Sequence, residues 1–438
     1  MTARKTVDDE GGHGKNILLS VLSNTFAPLA GLATAPILAS ALGVVGRGEA
    51  AGATAPLLLA TSVATLGIPP AVTYFTARNP SFAATLARRG SLMLIVAGII
   101  ATAAAVLLAP VLSGGSSPLA RLIGIASLAL LPLLLLSLLQ GTAAGLHRWK
   151  LVAVERLITA LVRLVALAAL ALSGRLDVQA AVIVLAFSPA LAALAYLPIM
   201  RRARTTSSDE VPPTSTAILA YGWRIWIGSI SGVLLTRIDQ TVMVPLAGAY
   251  DLGLYVVAVT IAELPLVINN AVREVTFSSD AARGSDERLT LASRLSSLVT
   301  LGAGVGVGVT AWWWLPLLFG SDFSGAYPVL LVLILAVVLG NPGSVAGVGL
   351  SARGMPGRRS MALVIACVVN LALVFLLVPS LGAMGAAVAT LAGNVVAGNL
   401  NIYFLWRHYG VRPWSFYQLT PTDVTTLVSR VVSILRRG

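Results

Sequence analysis

Gly90–Leu112 reads GSLMLIVAGIIATAAAVLLAPVL, 23 positions without a charged residue. As a helix rising 1.5 Å per residue it is about 35 Å long. The hydrocarbon core of a bilayer is about 30 Å thick and takes about 20 apolar residues to cross, so this stretch is a membrane span. With a window of about 19 residues, comparable segments appear at 16–42, 49–74, 118–145, 151–173, 178–200, 217–246, 252–277, 289–319, 328–350, 360–378 and 382–406. With the first, they make twelve.

The rest of the composition excludes the alternatives. Of 438 residues, 57% are hydrophobic and only 11% charged, and the mean hydropathy is +0.88. Soluble domains carry about 25% charged residues; a water-facing fold of this chain would lack the polar residues to cover its own surface. The expected fold is therefore all-α and polytopic, with twelve transmembrane helices in two six-helix bundles around a central cavity.

The net charge of +13 is a matter of topology. With loops assigned alternately, 23 of the basic residues fall on the side of both termini, among them Arg88, Arg89, Arg148, Arg201, Arg202 and Arg353. The other side holds only Arg47, Arg121 and Arg175. By the positive-inside rule both termini are cytoplasmic, and the charge gives no reason to expect a nucleic-acid partner. The abundance of Ala, Gly and Arg with few Lys points to a bacterial source, hence a multi-pass protein of the plasma membrane.

Residues 1–15 form a polar tail, read as disordered, and 16–200 and 217–406 form the two bundles. The Ser-, Thr- and Pro-containing segment 201–216 links them, and 407–438 is a second cytoplasmic tail. Within that tail, Thr420-Pro421-Thr422-Asp423 has the character of a helix start. Val424, Leu427, Val428, Val431 and Leu435 then follow at helical spacing as an amphipathic helix, either lying on the anionic leaflet or docked on the protein. Equivalent spans in the halves are offset by about 204 to 206 residues, and Ala180–Ala186 (AAVIVLA) matches Ala386–Ala392 (AAVATLA) at five of seven positions. An even number of spans per half gives both halves the same orientation.

Motifs for chemistry are missing. Gly14-Lys15 is followed by Asn16 and lacks the upstream glycine of a phosphate loop. Cys367 is alone, and His13, His147 and His408 share no ligand spacing, so no disulfide, metal site or cofactor is expected. The informative residues are charges within spans, each costing roughly 2.5 to 3.5 kcal/mol at the bilayer centre: Arg163 in the fifth span, Arg237 and Asp239 in the seventh, and Glu263 in the eighth. Glu155, Arg156, Arg224, Arg273 and Glu274 sit nearer span ends, within reach of water. Prolines concentrate in spans one, two, seven and eight (Pro28, Pro36, Pro56, Pro69, Pro70, Pro245, Pro265). Freed backbone groups are tolerated there only where protein or cavity water satisfies them, which makes these spans the expected cavity lining.

Leu42-Gly43-Val44-Val45-Gly46-Arg47-Gly48-Glu49 after the first span resembles the polysaccharide-transporter family of the multidrug, oligosaccharidyl-lipid and polysaccharide exporter superfamily. So do Arg237-Ile238-Asp239-Gln240, Leu252–Ala258 and Glu263. The resemblance covers nearly the whole chain. It implies a non-enzymatic flippase that moves undecaprenyl-pyrophosphate-linked oligosaccharide from the inner to the outer leaflet by alternating access, for cell-surface polysaccharide biosynthesis. Its implied site residues are Arg47, Glu49, Arg237, Asp239 and Glu263, to which depth in the membrane adds Arg163. Its implied partners are the lipid-linked glycan, membrane lipids, H+ or Na+ as coupling ion, and polysaccharide assembly proteins. Two other readings compete: an ion-coupled drug or small-solute antiporter of the same superfamily, and a membrane polysaccharide polymerase. The second would need catalytic carboxylates on a sizeable outer loop, whereas Glu49, Asp177, Asp251 and Asp322 are scattered singly on short ones.

Overall fold

The computed structural model describes residues 4–196, 211–266, 285–418 and Asp423, with side chains from Gly31 onward. All regular structure among them is helical: α1 (Arg4–Ala64), α2 (Ile68–Arg78), α3 (Ala83–Leu112), α4 (Ser117–Ser127), α5 (Leu130–Gly145), α6 (Trp149–Leu172), α7 (Val178–Ala192), α8 (Ser215–Ala262), α9 (Asp286–Phe319), α10 (Ala326–Ala352) and α11 (Pro356–Tyr409), with short 3-10 turns between some of them. Most of the 201–216 linker, most of the Ser278–Arg288 connection, Arg273, Glu274 and the amphipathic helix expected after Thr422 lie outside the described residues.

Eight helical segments are long and apolar enough to cross a membrane. Three of them hold two crossings each, because α1, α8 and α11 are broken at Gly43 (φ 66°, ψ −176°), Gly248 (φ 88°, ψ 174°) and Gly382 (φ 54°, ψ −130°). Such conformations are open essentially to glycine alone. The chain doubles back there: Tyr255 reaches Asp239 across Gly248, and a Cβ on Gly393 would stand 3.1 Å from that of Asn370 across Gly382. The amphipathic α6, with Lys150, Glu155, Arg156 and Arg163, supplies the remaining span. The protein is thus an all-α, multi-pass membrane protein; of its twelve expected crossings, the eighth is described only as far as Leu266. Large apolar side chains such as Ile99, Ile100, Leu107, Val165 and Leu172 are exposed on α3 and α6, as lipid-facing surface requires and water-facing surface does not tolerate.

Local signals set the other helix ends. Ser116, Asp177 and Ser285 accept from the first-turn amides of Leu119, Ala180 and Arg288, satisfying donors the helix leaves open, and Asp286 and Glu287 follow in the first turn of α9. The polar start of the chain differs from expectation: helix begins at Arg4, within the segment read as a disordered tail, and with no proline before Pro28 the backbone runs on into the first span.

The chain divides into two compact units, one of Met1–Ile230 with Gln240–Gly253 and the other of Ser231–Asp239 with Leu254–Gly438. In the first, the strands of helix that follow Gly43 and Gly248 cross at two glycines. A Cβ on Gly48 would run into the backbone of Ala249, and one on Gly253 into the backbone of Val44. Gly48 and Gly253, Val44 and Ala249, and Gly43 and Gly248 are each 205 residues apart, so the contact is reciprocal at the spacing of the repeat.

Also in this unit, the second crossing is discontinuous. α1 stops at Ala64 and α2 restarts at Ile68 with Pro69 and Pro70 in its first turn. Proline has no N–H to continue the ladder, and Leu66 and Gly67 take positive φ between the two helices. The Trp226 indole donates to the carbonyl of Val63 at 3.0 Å, so one carbonyl beside the break is met from within the protein.

In the second unit, Leu289, Val345, Leu350, Ile402, Leu405 and Phe416 form a buried cluster. Asn341 is buried among hydroxyls, its Nδ2 donating to Ser296 and Ser297 at 3.1 and 3.0 Å. Asp423 is buried and pairs with Arg294 of α9 at 3.3 Å.

Candidate functional site

The deep charges of the second unit meet around the hairpin broken at Gly248. Arg237 lies eleven residues before that glycine, about 16 Å along the helix, near the middle of the hydrocarbon layer. Its Nη2 stands 3.6 Å from Oε1 of Glu263, with the two side chains 36% and 41% exposed. Glu263 occupies a turn where α8 ends at Ala262. Pro265, two residues on, cannot donate to the ladder, and the interruption gives the carboxylate its exit toward Arg237.

Asp239 follows Arg237 by two residues, and residues so spaced do not share a helix face. It is 2% exposed. The Tyr255 hydroxyl donates to its Oδ2, and so does the Thr390 hydroxyl at 3.3 Å, while Tyr255 and Thr390 oxygens lie 3.0 Å apart. Asn370 is fully buried, with neither atom of its amide hydrogen-bonded among the described residues, and packs against the turn of Gly393, three residues beyond Thr390.

The site residues expected from sequence fall into distinct places. Arg237, Glu263 and Asp239 cluster in the second unit. Arg163 is in the first, where its guanidinium donates weakly to Ser188 at 3.4 Å and to the Leu185 carbonyl at 3.5 Å, linking α6 to α7. Arg47 is buried at the Gly48 crossing, its Nε without a partner among the described residues, and Glu49 beside it is half-buried. Glu155 is buried rather than at the water edge, accepting from Gln140 at 2.8 Å and Thr159 at 3.1 Å. Among the described residues no three His, Cys, Asp or Glu side chains come together in a set able to hold a metal ion. Charge alone did not point to Tyr255, Thr390 or Asn370; the visible signal was amide and hydroxyl side chains inside apolar runs, since Asn341, Asn370, Asn394, Asn399 and Asn401 all lie in spans ten to twelve.

A family model described as "Polysaccharide biosynthesis protein" matches residues 13–277, more than half of the chain. The chain belongs to this family. The chain is 26% identical over 209 residues to the probable low-salt glycan biosynthesis flippase Agl15 of Haloferax volcanii. The alignment covers 46% of this chain and 44% of that one, so the chain spans less than half of the curated relative it matches. Among solved structures, its fold is similar to that of the lipid II flippase MurJ in an inward closed conformation (TM-score 0.72, 14% identity, 95% of this chain and 93% of that one). It is also similar to an inward-facing multidrug resistance MATE family transporter of the MOP superfamily (TM-score 0.71, 16% identity, 89% and 94%). At these identities the likeness is one of fold.

Proposed function

We propose that this protein is a secondary transporter that carries a prenyl-pyrophosphate-linked oligosaccharide from the inner to the outer leaflet of a bacterial plasma membrane, with both termini cytoplasmic. The observation that carries this reading is the half-exposed Arg237–Glu263 pair at mid-membrane depth. A buried pair made for structure alone would be closed off, because charge in hydrocarbon is expensive. An open one offers a cation to a passing anion. Membership of the polysaccharide biosynthesis family and similarity to a protein named as a glycan biosynthesis flippase support the choice of cargo.

A pyrophosphate-linked glycan cannot cross hydrocarbon alone, since each unpaired polar group costs roughly 1 to 3 kcal/mol and each charge far more. In this reading Arg237 and, separately in the first unit, Arg163 attract the pyrophosphate, and Glu263 holds Arg237 in place or exchanges it for the substrate. The bundles 16–200 and 217–406 alternate access, and no bond of the substrate is made or broken. Two negative charges moving outward gain about 4.6 kcal/mol per 100 mV of inside-negative potential. Coupling to H+ or Na+ through Asp239 or Glu263 is therefore an addition to the driving force and not a requirement, and polysaccharide assembly proteins are the natural recipients of the cargo.

The test is mass spectrometry of prenyl-linked oligosaccharides in cells depleted of the protein and in cells with the gene restored. Accumulation of one complete lipid-linked unit, reversed on restoration, is the expected result. An unchanged lipid pool with altered sensitivity to cationic compounds would replace this reading with the antiporter.

A further inference from the structure

The second arm of α11 runs from Ala383 to Tyr409, about 40 Å at 1.5 Å per residue. The hydrocarbon layer is about 30 Å thick, so the last turns of the helix stand among lipid head groups. Gly410, in the left-handed region at φ 69°, ends the helix, and the chain folds back through the 3-10 turn Pro413–Phe416. Val411 and Phe416 are buried in the cluster around Leu289, Ile402 and Leu405, and the Tyr417 hydroxyl donates to Asn399 Oδ1 at 3.2 Å. The turn is therefore fixed against α11, on the side of Asn399.

The outer side of the turn is the reverse of its inner one. Trp414 is 74% exposed, and Arg412 is exposed beside it. Tyr403 and Trp406 lie one and two turns beyond Asn399 on the same helix face. Both are half-exposed, with ring centroids 5.9 Å apart, and the exposed Arg407 follows. Tyrosine and tryptophan so placed keep an apolar body in lipid and a polar edge in the head-group layer.

Charge on this face is unbalanced. From Phe323 to the C-terminus the sequence holds eight arginines and one acid, Asp423. That acid is buried against Arg294, and Arg353 takes Asp286 from the start of α9. Arg407 and Arg412 have no carboxylate within ion-pair distance among the described residues. No other acid lies in this part of the chain to neutralise them, so the counter-charge comes from a partner.

The rings decide which partner. A soluble polyanion would meet the arginines and leave Trp406 and Trp414 uncovered, while a zwitterionic lipid brings a cation of its own to the same place. A phospholipid of net negative charge meets both needs. Its phosphate accepts from the paired N–H donors of the guanidinium groups, and its glycerol and upper chains cover the rings. We infer that the end of α11 and the turn after it form a binding surface for acidic phospholipid, with the phosphate on Arg407 and Arg412 and with Trp406 and Trp414 flanking it. In the orientation proposed above this is the inner leaflet, whose surface is anionic.

The experiment is native mass spectrometry of the full-length protein in detergent, titrated with phosphatidylglycerol or with phosphatidylcholine of matched chains. A basic side chain near an acidic lipid surface contributes about fivefold in affinity, so the first phosphatidylglycerol should bind roughly 25-fold more tightly than the first phosphatidylcholine. Arg407→Gln and Arg412→Gln should each lose about fivefold of that preference, and together nearly all of it. Trp414→Ala should weaken both lipids alike and keep the preference. Arg88→Gln with Arg148→Gln removes the same charge from the first unit and should change nothing. All four arginines are exposed, so their replacement spares the fold. Equal affinity of the unaltered protein for the two lipids would overturn the inference. So would a preference that survives the Arg407→Gln, Arg412→Gln double substitution, or an equal loss in the Arg88, Arg148 control, which would reduce the effect to bulk charge. The readout needs no cargo, so loss of flipping with the lipid preference intact would sink the transport reading alone.

Discussion

Replacing Arg237 and Glu263 by glutamine, singly and together, measures what the mid-membrane pair contributes. At the observed 3.6 Å, two unit charges attract by about 4.6 kcal/mol at an effective dielectric constant of about 20 and by about 1.2 kcal/mol in bulk water. With side chains 36% and 41% exposed, solvent screening brings the coupling toward the lower figure, to about 1–2 kcal/mol. Either single substitution should destabilise the protein, because it removes one partner of a charge pair within a span; the double substitution should cost less than the sum. The assay is equilibrium unfolding of the four proteins in mixed micelles of mild detergent and dodecyl sulfate, followed by tryptophan fluorescence. The charge-reversed double variant, Arg237→Glu with Glu263→Arg, should recover part of the coupling, while Arg237→Ala should abolish flipping without preventing insertion. Additivity of the two glutamine substitutions within about 0.3 kcal/mol would refute the argument, since the two groups would then not sense each other.

Three other substitutions probe the frame around this pair. Tyr255→Phe removes the hydroxyl shared by Asp239 and Thr390 and should cost about 1.5–3 kcal/mol, the range for hydrogen bonds to charged groups, in the same unfolding assay; a loss below about 0.5 kcal/mol would mean that the buried carboxylate is satisfied elsewhere. Gly48→Val puts a branched side chain where the backbone of Ala249 lies and should cost about 1–3 kcal/mol or more as overpacking, seen as a lowered unfolding midpoint. Trp226→Phe leaves the Val63 carbonyl without its indole donor and should cost about 0.5–1.5 kcal/mol, with faster amide exchange confined to the neighbourhood of residues 63 to 71.

Hydropathy made the number of crossings legible, and the loop charges allowed an orientation to be read, because both are properties of whole segments. Continuity of the helices was less legible. A window average treats Gly43, Gly248 and Gly382 as interruptions like any other, whereas in the structure each is a single residue at which helix turns into helix. At the candidate site, Arg237, Asp239 and Glu263 stand out in sequence since charge in a span has so few explanations. Which of them face each other does not, because it depends on rotation about the hairpin and on the turn before Pro265.

The reciprocal crossing of Gly48 and Gly253 bears on how such a chain can be traced to a duplication. Apolar segments drift among Leu, Ile, Val and Ala with little consequence, so identity between halves fades quickly and chance matches accumulate. At this crossing each glycine makes room for the main chain of the opposite half, and the side chain absent from one half is a requirement set by the other. Two glycines five residues apart, repeated in register half a protein later, are therefore a sturdier record of common origin than any run of matching hydrophobic residues. Aligning such chains on these small-residue anchors first, and on hydropathy second, should recover the repeat where ordinary similarity has vanished.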